Sequence, residues 1–379
     1  MLDIETLHPA DLTPADVALW RAFAMADPVL AGPLLGPDFA QAVGRVREDA
    51  RVAVIRRGGE TIGFLAHHRR PGGVARPIGA PLSDYHGLVA KPGETIDAAQ
   101  VLRAADLAVM RYTGLVDPAG AFQVEPTIPA YVIDTQGDAA AYLEAVRAGS
   151  PKKIKNYRRL DNKLEREMGQ VELRAGDDSQ EAFDQLIAWK REQIERTGVH
   201  DFLRPQWTRD LFQMLFEQRD GEFRGLMINL YAGGQLVAGH FGVRQGEIYH
   251  PWIASTNPAF GAWSPGQIFF LRAIAAMPQL GLTRYDLGPG SDHYKHSYGL
   301  TQTLIADGAA TAASMAGRVA GSVEGVWALA GANGAGPVAR LRRRMDIIAS
   351  TELTMGGRVK GLVDAVAAQG KRRNATMEV

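Results

Sequence analysis

Apolar residues recur at three- and four-residue steps between 151 and 168, where Ile154, Tyr157, Leu160, Leu164 and Met168 fall on one face of a helix. Ser150 is placed to cap that helix, Pro151 suits its first position and Gly169 stops it. Upstream, alternating and β-branched runs predict strands at Asp3–Leu7, Arg51–Ile55 and Thr61–Ala66 around the Gly58-Gly59 turn, then at Tyr85–Val89 and Ala130–Ile133. Helical patterns start near Thr13-Pro14 and cover Ile96–Tyr112.

A second pass of similar order follows. Helices are expected at 180–197 and 206–219, strands at 226–232 and 235–243 joined by Gly233-Gly234, and a third strand at 247–254. A helix at 265–279, a strand at 284–288, a short helix at 292–298 and a strand at 302–306 complete it. From about 308 the chain turns to Ala, Gly and Arg, with a helical pattern over 337–369. The fold class is α/β (α+β), mixed sheets flanked by helices, divided at 1–145, 146–307 and 308–379.

Composition narrows the function classes. The 379 residues carry 42 Lys+Arg against 42 Asp+Glu, so global charge calls for neither a DNA nor a membrane partner. Apolar residues are 46% and charged residues 22%, as in an ordinary globular protein. The absence of cysteine excludes disulfides, thiolate nucleophiles and a cysteine acyl intermediate. The first ten residues lack a signal-type apolar core, and the Ala/Gly-rich run 311–337 is interrupted by Arg318 and Glu324, so a cytoplasmic location is expected, with an optional peripheral contact at the membrane. The nine histidines show no metal-site spacing, and no metal is expected.

The chemistry concentrates between 226 and 299. Trp263-Ser264-Pro265-Gly266-Gln267 reads as a helix start, with Ser264 and Gln267 at capping-box spacing. Such a start, with Gly261 and Gly266 to let a phosphate approach the backbone, suits an anion. A hairpin, a third strand, this helix start and a strand ending in Asp286-Leu287-Gly288-Pro289-Gly290 follow in order. With Tyr294-Lys295 and Tyr298-Gly299, that run resembles the signature of the CelD/BioF2-like acetyltransferases, relatives of the Fem-type ligases within the GNAT superfamily. Pro81-Leu82-Ser83-Asp84-Tyr85-His86-Gly87 is similar to an element of their first domain.

The resemblance implies tandem GNAT-like domains and transfer of an acyl group from acetyl-CoA or a longer acyl-CoA to an amine, often on an amino sugar of an exopolysaccharide, cellulose or holdfast. It places the donor at Gly261, Trp263, Ser264, Gly266 and Gln267, and the reacting end near Tyr294, as thiolate acid, and Lys295. His240 and His250 are candidate bases, and which of them faces the cleft is left open by strand alternation. Asp292 and His293 make a further candidate pair. For the acceptor, an amino sugar or sugar phosphate, the candidates are Asp84, Tyr85, Asp286 and the basic helix start with Lys152, Lys155 and Arg158, whose cations oppose the helix dipole. In the tail, Arg340 and Arg344 have a spacing that can grip phosphates, including those of a cyclic dinucleotide; Lys371, Arg372 and Arg373 form a second basic run suited to a membrane surface. Two other readings stand beside the leading one: a Fem-type aminoacyl transferase, disfavoured by the lack of a heptad arm, and a non-catalytic GNAT-like module that senses a phosphorylated ligand.

Overall fold

A computed structural model describes residues 2–290, 293–332, 334 and 336–364. They form two compact units. Unit one comprises Met1–Thr127, Ile194–Leu211 and Ile305–Val379; unit two comprises Ile128–Gln193 and Phe212–Leu304. The described residues from 305 onward group with unit one, and the first division between the units falls at 127/128, where the sequence reading divided the chain at 145/146 and 307/308.

Unit one runs β1 (Leu2–Leu7), α1 (Pro14–Met25), α2 (Pro37–Gly44), β2 (Ala50–Arg57), β3 (Glu60–Arg70), β4 (Val74–Pro77), β5 (Val89–Ala90), α3 (Ala98–Ala104) and β6 (Val109–Leu115). Unit two runs β7 (Ile128–Asp134), α4 (Ala139–Gly149), α5 (Pro151–Met168), β8 (Val171–Ala175), α6 (Gln180–Thr197), α7 (Gln206–Glu217), β9 (Phe223–Ala232), β10 (Gln235–Gln245), β11 (Ile248–Thr256), α8 (Pro265–Ala276), β12 (Arg284–Pro289) and α9 (His293–Tyr298), with the end of α6 and the start of α7 assigned to unit one. β13 (Thr301–Thr311), α10 (Met315–Leu329) and α11 (Pro337–Thr351) follow.

The two sheets share one plan. In unit one the order is β1-β2-β3-β4-β6-β13, and in unit two β8-β9-β10-β11-β12-β7. Each is antiparallel except at one place: β4 meets β6 in parallel, and β11 meets β12 in parallel. The last strand of each sheet is exchanged in chain order, since β7 follows β6 yet joins the sheet of unit two while β13 supplies the last strand of unit one.

The core of unit two lies between its sheet and α4, α5 and α8, where Ile228, Leu230, Tyr249, Ile268, Phe269, Ile274 and Tyr285 are fully buried. The helical period of α5 explains its place: Ile154, Leu160 and Leu164 are buried while its cations face out. On the other side of the sheet Phe183, Phe212 and Phe216, from α6 and α7, meet Phe241.

Several expectations are corrected. The pattern over 96–112 splits, because Asp106 adopts a left-handed φ of 54° after α3 and Val109–Leu115 then extends as β6. Tyr85–Val89 is not a strand; only Val89–Ala90 and a single bridge at His86 pair. The helix over 337–369 stops at Thr351, where Glu352 is extended, and helix resumes only at 355–364. The glycine-rich run after 311 holds α10, whose Ser314 caps it. Ser150 makes no side-chain cap to α5. The second basic run, Lys371 to Arg373, and Asp292 lie outside the described residues.

Candidate active site

β11 and β12 pair at only two positions, Ile248 with Arg284 and Tyr249 with Tyr285. Beyond them the strands keep their outer partners, β10 and β7, but lose each other. Each carries a bulge at the parting. The β10–β11 register skips Trp252 and the β12–β7 register skips Leu287; an extra residue bends a strand and breaks its ladder. Past these two pairs the facing edges of β11 and β12 have no strand partner among the described residues, a place where an extended amide-bearing chain can pair.

Small residues make this parting feasible. A Cβ on Gly242 would lie 2.1 Å from the His250 carbonyl oxygen and 2.5 Å from Pro251 Cα, so only glycine lets β10 approach the bulge. Gly288 has a φ of 68° and donates its N–H to Asp286 Oδ1 at 2.8 Å. The signal for both bulges was in the sequence: Pro251 within an apolar strand and Gly288 within the next are residues that uninterrupted ladders avoid.

At the throat, immediately after the last paired residues, stand His250 and Asp286. Nδ1 of His250 lies 3.7 Å from Oδ1 of Asp286, with the imidazole 1% and the carboxylate 15% exposed. That separation is long for a hydrogen bond and short enough for a carboxylate to stabilise an imidazolium. His240 has a different setting. It is buried against Phe269 and Phe270, and its Nδ1 is 2.6 Å from the Tyr285 hydroxyl. Burial lowers its pKa to about 3, and its ring is enclosed by core aromatic side chains.

The parted end of β11 meets α8. Thr256, the last residue of β11, is 3.4 Å from the Cβ position of Gly266 in the first turn of α8. The capping box expected at Ser264 and Gln267 is absent: Ser264 is left-handed, at φ 54° and ψ 56°, because a 3-10 turn over Pro258–Trp263 runs straight into the helix, and its side chain makes no cap bond. Pro265 has no N–H, and Gln267 N reaches only the Ser264 carbonyl. The amide end of α8 thus lacks a side-chain cap, which leaves it open to an anion. Gly261 is exposed, and Trp263 is half-buried with its indole N–H on Glu167 Oε2 at 3.1 Å.

Tyr294 packs its ring on Phe270 at 5.1 Å and stays half-exposed. Lys295 is buried, with Nζ on the Pro289 carbonyl oxygen at 2.5 Å, so it fastens α9 to the end of β12 and is no free charge donor. Lys152, Lys155 and Arg158 are exposed on α5 in unit two. Asp84 and Tyr85 belong to unit one, Tyr85 buried and Asp84 half-buried. Arg340 is exposed and Arg344 half-buried on α11 of unit one. No described helix is long and apolar enough to cross a membrane.

Residues 151–296 match the sequence profile of the acetyltransferase (GNAT) domain, which makes that segment an N-acyltransferase domain of the GNAT fold. A search of curated proteins finds no match. Among solved structures the chain is similar to FemX (11% identity, 80% of this chain and 96% of that one, TM-score 0.49). It is also similar to the C-terminal domain of a putative lysylphosphatidylglycerol synthetase from Agrobacterium fabrum (11%, 82% and 95%, TM-score 0.47) and to a tandem GNAT protein from the clavulanic acid biosynthesis pathway (12%, 80% and 96%, TM-score 0.44).

Proposed function

We propose that this protein transfers an acyl group from an acyl-CoA thioester to the amine of an amino sugar, nucleotide-linked, lipid-linked or within a polysaccharide, and that the reaction takes place where β11 and β12 part. The observation that carries the donor half is the two-position pairing of those strands with the uncapped end of α8 at their mouth. Pantetheine amides pair with the inner edge of β11, and the pyrophosphate lies on the amides of Gly266 and Gln267. The acceptor class rests on the sequence signature at 263–299.

His250 and Asp286 supply the proton chemistry. The amine nitrogen attacks the thioester carbon, its proton passes to His250, and the Asp286 carboxylate stabilises the imidazolium. As the C–S bond breaks, the Tyr294 hydroxyl protonates the departing thiolate. Nothing here needs a covalent intermediate, in keeping with a chain without cysteine.

Following free thiol while acetyl-CoA is incubated with a panel of amino sugars tests the reading. Release that depends on the amine supports it. Failure to bind CoA in a calorimetric titration overturns it, and release only with a charged tRNA present moves the donor to an aminoacyl ester.

A further inference from the structure

α5 carries a groove of roughly 590 Å³ lined by one face of the helix, including Lys152, Lys155, Arg159, Lys163 and Arg166. At ~1.5 Å per residue it runs for about 20 Å. Among the described residues no carboxylate pairs with Lys152, Lys155, Arg158 or Arg166, and the first turn of α5 contains no acid. Cations stacked at three- and four-residue steps repel one another, so this face is poised for an anion.

The packing of α5 says where that anion belongs. Asp161 takes Nε and Nη2 of Arg272, from α8, at 3.0–3.2 Å. Glu167 takes the indole N–H of Trp263, the residue before Ser264, and Nζ of Lys163 lies 5.9 Å from the centre of the Trp263 ring. The C-terminal half of the groove therefore adjoins the start of α8. That start has no cation of its own, since no Lys or Arg occurs from Gly246 to Leu271. The acceptor side lies elsewhere, because His250 alternates with Tyr249, which packs on the α8 face, and Trp252 meets Phe212 of α7 on the opposite face.

We infer that the α5 groove holds the nucleotide end of the donor, its cations near Lys163 binding the ribose 3′-phosphate while the pyrophosphate sits on α8. This rests on the donor reading above and changes one expectation: the basic helix serves the donor, not a phosphorylated acceptor. Phosphate recognition by Lys and Arg side chains at this edge then sets the preference for CoA over its dephosphorylated form.

The test compares CoA with 3′-dephospho-CoA by calorimetry on the full chain, for the wild type and for R159A/R166A and K163A. The wild type is expected to bind CoA about tenfold more tightly, the equivalent of one charge-assisted contact. Both variants should lose that preference, raise KM for acetyl-CoA and leave kcat and the affinity for 3′-dephospho-CoA unchanged. Equal wild-type affinity for the two ligands overturns the inference while leaving the donor reading intact, as does a variant that raises KM for the acceptor alone. A variant that loses both ligands equally also overturns it. Absence of any CoA binding by the wild type overturns the donor reading and this inference together.

Discussion

In the proposed reaction, His250 is the side chain that takes the proton. It occupies the first position after the paired residues of β11, and its carboxylate partner occupies the same position on β12. Replacing it with Asn keeps the bulk and removes the base, so kcat is expected to fall by about 10²–10⁴ with little change in the affinity for CoA; stopped thiol assays and calorimetry on one preparation separate the two effects. A second histidine reports on stability. Burial alone lowers the pKa of His86 to about 3, and its ring lies 5.8 Å from that of Tyr112. As pH falls below ~6.5 the unfolded chain takes up a proton that the folded chain refuses, so stability falls from there toward the folded pKa and is fully present above. This residue accounts for roughly 3 kcal/mol of loss by pH 4. Urea unfolding between pH 7 and pH 4 should show a shallower acid slope for His86→Phe than for the wild type, and equal slopes would contradict the assignment.

At the scale of elements, the bulges matter more than any one side chain. Gly242→Ala drives a Cβ into the backbone of His250 and Pro251, atoms that cannot swing away. A cost of about 1–3 kcal/mol is expected, together with loss of transfer activity as the throat deforms; thermal melting and the thiol assay read both, and an unaltered melt would show that β10 does not approach as described. The helices and strands of unit two were legible in the sequence because their periods are long and their punctuation clear: Pro151 and Gly169 around α5, Gly233-Gly234 at the hairpin, Pro265 at α8. The parting of β11 and β12 was not, since a ladder that stops after two pairs leaves no periodicity to read. Nor was the failure of the Ser264 cap, which depends on the preceding 3-10 turn delivering that residue in a left-handed conformation. His240 and His250 could not be separated by alternation, because the Trp252 bulge shifts the count between β10 and β11.

Across the whole molecule the same plan occurs twice with different fillings. In unit one β4 and β6 also pair in parallel at two positions, Val74 with Val109 and Ala75 with Met110. The next residues are Arg76 and Arg111, where unit two has His250 and Asp286. Asp346 of α11 lies between them, accepting Arg76 Nη2 at 3.1 Å and Arg111 Nε at 3.1 Å, and Arg111 also meets Glu324 of α10 at 2.7 Å. A cavity of about 220 Å³ remains there, lined in part by Arg343 and Ser350. The exchange of residues and the helix seated on it leave unit one without the open throat that a thioester needs, so one acyl-CoA per chain is expected. Calorimetric stoichiometry checks this, and a value near two would mean that α11 gives way to a second donor.

Everything proposed for the reaction depends on the donor lying where β11 and β12 part. A crystal structure of the acetyl-CoA complex tests it most directly. Pantetheine is expected along the inner edge of β11, pyrophosphate on the amides of Gly266 and Gln267, and the thioester carbonyl within reach of His250. Acetyl-CoA seated anywhere else, with that place empty, would contradict it.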